Sequence, residues 1–290
     1  MKILFFGTPD FAVPTLEQCA SSFDVVYCVT QPDKPVGRSQ VITPPPVKTK
    51  AIELGIPVAQ PDLIKKNSEG RQELEEIIKK YSPDVAVVVA YGKIIPSGLL
   101  TMPKHGFVNV HGSLLPMLRG ASPIQAAIAQ GFQESGVTIM VMDKGMDTGP
   151  ILSSKRILLD ATETSGSLHD RLMNIGADLL VETLPRYITG DITPVPQDNK
   201  RATYCSLITK NDGEIDWNAT PKEIDQHIRA FSSWPGAFTF CNNRRIKITA
   251  AHLDGEGKLS ITRVKPEGKK EMPFEAFILG NPDCQLPPLQ

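Results

Sequence analysis

The sequence predicts an α/β fold: an open, mostly parallel, doubly wound sheet, followed by a small β-rich domain. Three observations support this prediction. Strands and helices alternate through the first two thirds of the chain. Val85–Val89 is apolar throughout, as in a parallel strand covered on both faces. After Gly190 the alternation ends and short strand-like segments follow. Sheets of this kind bind ligands beyond the carboxyl ends of their strands.

The elements follow from hydrophobic spacing and from residues that favour helix ends. We predict strands at residues 3–6, 25–30, 57–60, 85–89, 106–110 and 137–142. Helices are predicted at residues 11–19, 47–54, 70–80 and 167–188, and a further helix begins at Pro123 with Ser122 as its N-cap and ends at Gly131. Residues 31–46, rich in Pro, Gly and Thr, are predicted as a long loop.

The predicted domains are a catalytic domain at residues 1–189, a linker at 190–205 and a small C-terminal domain at 206–290. The linker is assigned because its residues show little hydrophobic periodicity. The second domain contains strand-like segments at residues 245–249, 259–264 and 274–278. Trp217 and Trp234 are expected to pack within it.

Composition points to a globular cytoplasmic protein. The 290 residues are 41% hydrophobic and 22% charged, with a formal net charge of −1. The apolar N-terminus is too short to span a membrane and is broken by Gly7, and no cleavage site follows. The five cysteines are scattered without a C-x-x-C pair, so we expect reduced thiols rather than disulfides or a structural zinc site.

The stretch NVHGSLLPMLRG at residues 109–120 holds the first candidate for chemistry. In a strand with a side-chain period of two, Asn109 and His111 face the same way, near the carboxyl end of the strand. An amide and an imidazole there can donate hydrogen bonds to an oxyanion, and the imidazole can move a proton. The alternative is that both side chains merely close a turn or fill the core.

A carboxylate partner for His111 is predicted in the loop that follows VTIMVM, which contains Asp143 and Asp147. Such a carboxylate can hold the orientation of the imidazole. Asp147 also lies in DTGP, where turn formation is the competing interpretation. Since no serine or cysteine stands in a nucleophile motif, the set favours group transfer to an external nucleophile over covalent catalysis.

These segments resemble the 10-formyltetrahydrofolate-dependent formyltransferases. The resemblance is carried by NVHGSLLP with RGASPI, GTPDFAVPTLE, VVVAYGKIIP, GVTIMVMDKGMDTGPIL, TKNDGEIDW, IRAFSSWPGAF and KPEGKK. It implies the family's Rossmann-like catalytic fold and a C-terminal domain like an abbreviated oligonucleotide-binding barrel. The activity implied is transfer of the formyl group to methionine esterified to initiator tRNA, in the cytoplasm, by a monomer.

The resemblance also assigns roles to residues. The catalytic trio would be Asn109, His111 and Asp147, with no metal. The folate co-substrate would be bound by Ser113, Leu114, Leu115 and Pro116, by the backbone of Val89, Ala90, Tyr91 and Gly92, and by the loop holding Asp143 and Gly145.

Contacts with tRNA are expected from two basic segments. Residues 33–50 carry four basic side chains, Lys34 and Arg38 among them, against one acidic. Residues 241–272 carry eight basic, including Arg244 and Arg245, against four acidic. Local positive charge on a nearly neutral protein suits docking of one RNA through its phosphates, although a solvated charged loop is the plainer alternative.

Two departures from the family pattern bear on substrate binding. Met117 and Leu118 stand where many members have a basic residue and an aromatic one, and the C-terminal domain is shorter than usual. Two alternative functions are a formyltransferase for a small amine, such as an amino-sugar nucleotide or glycinamide ribonucleotide, and a non-catalytic RNA- or folate-binding protein. The basic segments favour tRNA, and the trio favours an enzyme.

Overall fold

The protein is described here from a computed structural model that covers residues 1–37, 39–284 and 286. The chain forms two compact units. Unit 1 comprises Met1–Arg119, Gly136–Arg156 and Asp170–Tyr204, and unit 2 comprises Gly120–Ser135, Ile157–His169 and Cys205–Gln290. Two segments that precede the predicted linker therefore pack within unit 2, and most of the predicted linker belongs to unit 1.

The strands are β1 (Lys2–Gly7), β2 (Asp24–Val29), β3 (Lys34–Val36), β4 (Val41–Thr43), β5 (Val58–Ala59), β6 (Val85–Val89), β7 (Phe107–His111), β8 (Arg119–Gly120), β9 (Glu134–Val141), β10 (Ile151–Leu158), β11 (Tyr204–Cys205), β12 (Phe238–Cys241), β13 (Arg244–Leu253), β14 (Leu259–Pro266) and β15 (Met272–Pro273). The helices are α1 (Val13–Ser22), α2 (Pro46–Glu53), α3 (Glu69–Tyr81), α4 (Ser97–Leu100), α5 (Pro123–Ala129), α6 (Ser165–Thr189), α7 (Pro221–Ala230) and α8 (Phe274–Leu279). Among the described residues, no helix is both long and apolar enough to cross a membrane.

The main sheet has seven strands in the order β10-β9-β7-β6-β1-β2-β5. From β5 to β7 the neighbouring strands pair in parallel, whereas β9 runs antiparallel to β7. All five residues of β6 are buried, as its apolar sequence predicts for a central strand. The mostly parallel sheet predicted from the sequence is therefore confirmed.

The predicted loop at residues 31–46 contains structure that the sequence analysis missed. Within it β3 and β4 form a small antiparallel hairpin whose residues are all exposed. Its apolar side chains meet no core, so hydrophobic spacing gave no sign of the two strands.

Helix ends are mostly where the sequence places them. α5 has Pro123 at its first position and is followed by Gly131 in the left-handed region, with φ +68°. Ser122 occupies the N-cap position of α5, as the sequence predicts, but its side chain makes no capping hydrogen bond. In α3, by contrast, Ser68 accepts a hydrogen bond from the backbone N–H of Arg71.

Unit 2 contains a four-stranded antiparallel sheet in the chain order β12-β13-β14-β15, which confirms a small β-rich C-terminal part. Residues 274–278, predicted as a strand, form α8 instead. Phe274, Phe277 and Ile278 are spaced as on one face of a helix, and Pro273 stands at the N-cap position.

The cysteine prediction is wrong for one pair. Cys241 and Cys284, separated by 43 residues, form a disulfide in unit 2. Cys19 and Cys28 are buried thiols, and burial raises the pKa of each to about 12. Wide sequence separation and the lack of a paired motif hid the disulfide.

The two tryptophans differ in their packing. Trp217 is partly buried and its indole N–H donates to the hydroxyl of Thr239, at 2.9 Å. Trp234 is 53% exposed, so the prediction that it packs within the domain is wrong.

Burial of His227 on α7 makes the stability of unit 2 depend on pH. Burial lowers the pKa of His227, against opposing effects of a hydrogen bond to the Gly213 backbone and of the nearby Asp212 charge. The folded state therefore binds a proton less readily than the unfolded chain. This contribution to stability is complete above about pH 6.5 and is lost as the pH falls through the folded pKa.

We expect the urea midpoint of unit 2 to fall between about pH 7 and pH 5, and to fall less in His227→Gln. Both tryptophans belong to unit 2, so their fluorescence measures its unfolding. The exposed His252 provides a control, since His252→Gln should keep the wild-type pH dependence. Equal pH dependence in wild type and His227→Gln would contradict the assignment.

Candidate active site

Strand β7 carries Asn109 and His111 on one face. Asn109 is partly exposed and His111 is 6% exposed. β7 pairs with β6 through Val88 opposite Asn109, and with β9 through Thr138 opposite His111. His111 is the last residue of β7. The period-two prediction and the strand-end location are confirmed.

Asp147 reaches His111 from a loop that folds back over the sheet. Because β9 is antiparallel to β7, Val141 near its end lies beside Val108 rather than beside His111. The loop after β9 nevertheless places the Asp147 carboxylate oxygen Oδ2 3.7 Å from His111 Nδ1. Asp147 adopts a left-handed backbone, with φ +53°, to do so. The structure thus brings together His111 and Asp147 as the sequence predicts.

The second ring nitrogen of His111 is also engaged. Nε2 lies 2.9 Å from the carbonyl oxygen of Leu118. A carbonyl only accepts, so Nε2 carries the hydrogen and a neutral ring has its lone pair at Nδ1. Nδ1 can then take a proton facing Asp147, whose charge would stabilise the imidazolium. For Nε2 to serve an oxyanion, as the sequence analysis suggested, it would have to exchange this hydrogen bond.

The turn after β7 uses its polar groups internally. The Ser113 hydroxyl donates to the carbonyl of Met117, at 2.6 Å. Thr138 on β9 donates to the carbonyl of Ser113 and accepts from the backbone N–H of Leu115. The Leu115–Pro116 peptide is cis. Ser113 is one of the residues predicted to bind folate, but its hydroxyl already donates a hydrogen bond within the turn.

Leu118 is the second residue of the Met117–Leu118 departure noted in the sequence. Its side chain is 2% exposed, so it does not line an open pocket edge. Its contact with His111 uses the backbone carbonyl, which any residue provides. Its φ is +56°, a left-handed backbone conformation.

Residues 89–92 follow β6 at the neighbouring strand end. Ala90 and Gly92 have positive φ, at +46° and +76°. The Tyr91 carbonyl accepts hydrogen bonds from Thr8 and from Gln31, both at 2.8 Å. Its side chain is 2% exposed, and burial raises the pKa of its hydroxyl. The side chain of Tyr91 is thus part of the core.

The loop holding Asp143 and Gly145 is closed by local hydrogen bonds. Asp143 Oδ1 accepts from the backbone N–H of Gly145, at 2.9 Å, and from the hydroxyl of Thr148, at 2.6 Å. Among the described residues, no group of three or more His, Cys, Asp or Glu is arranged to hold a metal ion.

A hydrogen-bond cluster around Arg119 was missed by the sequence analysis. Arg119 is 1% exposed, and its guanidinium donates to the side chains of Gln197, Asn199 and Tyr204. Gln197 in turn donates to the carbonyls of Asp147 and Gly149, at 2.8 and 2.7 Å. These partners lie some 50 to 85 residues apart in the chain, so no local pattern indicated the cluster.

The predicted tRNA-binding residues have different surroundings. In unit 1, Lys34 is exposed and donates to Gln31, whereas Lys48 pairs with Asp33 and Lys50 with Glu17 and Glu53. Arg38 lies outside the described residues. Hydrogen bonds from Lys48 and Gln60 hold the pKa of Asp33 below its usual range. The excess positive charge of this segment is therefore partly neutralised.

In unit 2 the two neighbouring arginines differ. Arg244 is exposed and lines a cavity of about 320 Å³ together with Lys269. Arg245 is partly buried, and its guanidinium lies 3.8 Å from the ring centre of Phe238. This stacking gives Arg245 a packing role.

Comparison with known families identifies the class of protein. The sequence model described as formyl transferase matches residues 1–184, and that of the formyl transferase C-terminal domain matches residues 207–259. The chain therefore belongs to the formyl transferase family.

Relatives similar along almost the whole chain are named methionyl-tRNA formyltransferase. One from Myxococcus xanthus is 42% identical, covering 97% of this chain and 95% of its own length. One from Listeria monocytogenes is 41% identical, covering 96% and 95%. The resemblance found in the sequence is thereby confirmed.

Solved structures share the fold. The N-formyltransferase from Helicobacter canadensis, in complex with folinic acid and dTDP-3-aminofucose, has a TM-score of 0.68 at 20% identity, covering 94% of this chain and 98% of that one. Methionyl-tRNA formyltransferase from Clostridium thermocellum has a TM-score of 0.59 at 18% identity, covering 92% and 98%. At these identities the likeness concerns the fold alone.

Proposed function

We propose that the protein transfers the formyl group of 10-formyltetrahydrofolate to the α-amino group of methionine esterified to initiator tRNA, for translation initiation. The observation that carries this proposal is the 42% identity to a methionyl-tRNA formyltransferase over 97% of the chain. We further propose that it acts as a monomer in the cytoplasm, with residues 1–189 as the catalytic domain and residues 206–290 as a tRNA-binding domain.

The proposed reaction is direct attack of the amine on the formyl carbon. A carbon–nitrogen bond forms and negative charge develops on the formyl oxygen, where the side-chain amide of Asn109 would donate a hydrogen bond. His111 would take the amine proton at Nδ1, with Asp147 stabilising the imidazolium 3.7 Å away. The bond from the formyl carbon to N10 then breaks, the proton passes to N10 and tetrahydrofolate leaves.

The folate would bind along the ends of β6 and β7, beside the loop after β9. The residues assigned are the backbone of Val89, Ala90, Tyr91 and Gly92, the turn of Ser113, Leu114, Leu115 and Pro116, and the loop with Asp143 and Gly145. Two features fit a pterin ring, whose edge carries several donors and acceptors. Ala90 and Gly92 have left-handed backbone conformations just after a strand end, and Ala90 is exposed. Backbone peptide groups there offer the matching partners.

Transfer to competing amines tests this proposal. The protein is supplied with labelled 10-formyltetrahydrofolate and offered charged initiator tRNA, an amino-sugar nucleotide or glycinamide ribonucleotide. We expect the highest kcat/KM with methionyl-tRNA. Transfer to the amino sugar with none to methionyl-tRNA would contradict the proposal and favour a small-amine formyltransferase.

Lys34, Arg38, Arg244 and Arg245 are proposed to contact tRNA, and Arg244 gives the sharpest test because it is exposed. For Arg244→Ala we expect weaker tRNA binding, with the salt dependence of log Kd reduced by about one unit of slope. Folate affinity should not change. Lys79→Ala, an equal loss of charge on the exposed face of α3, is the matched control. An unchanged tRNA affinity across salt concentrations would count against the Arg244 contact.

A further inference from the structure

Both partners of the His111 ring are held by one segment of the chain, residues 197–204. Gln197 donates to the backbone carbonyl of Asp147, the residue facing Nδ1. The Thr203 hydroxyl accepts from the backbone N–H of Leu118, whose carbonyl meets Nε2. The contacts join residues 50 and 85 positions apart, so they form only in the folded chain.

The hydrogen bonds of Gln197 fix its amide in one orientation. Its Nε2 donates to the carbonyls of Asp147 and Gly149, at 2.8 and 2.7 Å. Its Oε1 accepts from Arg119 Nε and Nη2, at 3.1 and 2.8 Å. A carbonyl cannot donate and a guanidinium cannot accept, so a flipped amide would lose all four bonds.

Arg119 anchors Gln197 from the other side. The guanidinium also donates to Asn199, at 2.8 Å, and to the Tyr204 hydroxyl, at 3.2 Å. It is almost fully buried, and a buried arginine whose donors are satisfied has little freedom to move. Gln197 is therefore held rigidly where it meets the loop.

Asp147 has a left-handed backbone, so its position depends on the contacts of the loop, and the hydrogen bonds from Gln197 add to those that join Asp143 to Gly145 and Thr148. Residues other than glycine are disfavoured in that region, although aspartate and asparagine are disfavoured less than most. Unless a neighbour fixes it, a loop of this kind relaxes to other conformations, and these would move the carboxylate away from His111.

We propose that Gln197 is a positioning residue for formyl transfer, which acts by holding Asp147 against His111 and does not touch the substrate. The proposal rests on the function given above, in which His111 and Asp147 move the proton. Thr203 does the same for the opposite side of the ring through Leu118.

The test is Gln197→Glu, which keeps the size of the side chain and its acceptor for Arg119 but replaces the donor to both carbonyls with an oxygen. We expect kcat to fall about 10-fold or more, since small displacements in an active site have such effects. KM for folate and for tRNA, and the urea midpoint, should stay near the wild-type values. Gln133→Glu is the control, because the exposed Gln133 also donates to a carbonyl, that of Gly131.

A double-mutant cycle separates positioning from a general structural effect. If Gln197 acts through Asp147, Gln197→Glu should slow Asp147→Asn by less than about 3-fold. Wild-type kcat in Gln197→Glu, or a full additional loss in the Asp147→Asn background, would overturn the proposal. If Gln197→Glu does not fold, Gln197→Met, which also lacks the donor to the carbonyls of Asp147 and Gly149, is used in the same cycle with Asp147→Asn and the same criteria.

A failure of the Gln197 proposal can be distinguished from a failure of the proposed function. The cycle is measured with whichever amine the wild-type protein formylates, so a different acceptor would overturn the substrate assignment and leave Gln197 testable. Normal transfer to methionyl-tRNA by Gln197→Glu would overturn only the role of Gln197.

Discussion

Asn109→Ala and His111→Ala are each expected to lower kcat about 100-fold or more, as for loss of an oxyanion donor or of an acid–base group. Asn109 is partly exposed at the strand end, so its loss should remove a donor with little effect on folding. His111 is buried, and its loss also leaves the carbonyl of Leu118 without its ring partner. Single-turnover transfer to methionyl initiator tRNA measures both effects on the chemical step.

His252→Ala is the control for a histidine substitution without a catalytic effect, because His252 is exposed in unit 2. The free energy of unfolding of both active-site variants, measured in urea, should lie within a few kcal/mol of the wild-type value. Near-normal turnover in both variants would remove the mechanism proposed for this site.

Gly149→Ala is expected to lower kcat about 100-fold and to reduce the unfolding free energy by about 1–3 kcal/mol. A Cβ at this position would overlap the backbone carbonyl of Val141, which cannot move as a flexible side chain does. The backbone would have to shift instead. Gly149 lies two residues from Asp147, and both carbonyls accept from Gln197. The shift would therefore displace the carboxylate that faces His111.

Steady-state kinetics of Gly149→Ala measure the fall in kcat, and urea unfolding measures the fall in unfolding free energy. Gly255→Ala is the matched control, since a Cβ there has nothing within 4 Å and the backbone is not left-handed. If Gly149→Ala turns over like wild type, the loop tolerates displacement and the described geometry is not required for the reaction.

Much of the sheet, and the location of Asn109 and His111 on one strand, could be predicted because their signals are local. The period-two alternation of β7 places Asn109 and His111 on one face whatever the rest of the chain does. The apolar sequence of Val85–Val89 identifies a buried strand without reference to its neighbours. Asp147 could be predicted as a partner of His111 because it follows the next long strand. The antiparallel direction of that strand, β9, was not predicted.

What the sequence did not indicate depends on contacts between distant residues. Gln197 and Arg119 are 78 residues apart, and neither stands in a periodic pattern. Residues 190–205 lack regular hydrophobic spacing because they act through hydrogen bonds, so they were interpreted as a linker. Cys241 and Cys284 are likewise far apart in the chain, by 43 residues, so no local pattern indicated that they form a disulfide. The error at α8 is different, since the spacing of Phe274 and Phe277 already indicated a helix.

In the proposed reaction, the site at the end of β7 formylates the α-amino group of methionyl-tRNA. The most direct measurement is the position of the label after transfer from labelled 10-formyltetrahydrofolate, followed by hydrolysis of the ester bond to tRNA. We predict that the label is recovered as N-formylmethionine with the wild-type protein and is reduced about 100-fold in initial rate with His111→Ala. Label on another acceptor, or transfer to methionine that does not depend on His111, would contradict the proposed function of this site.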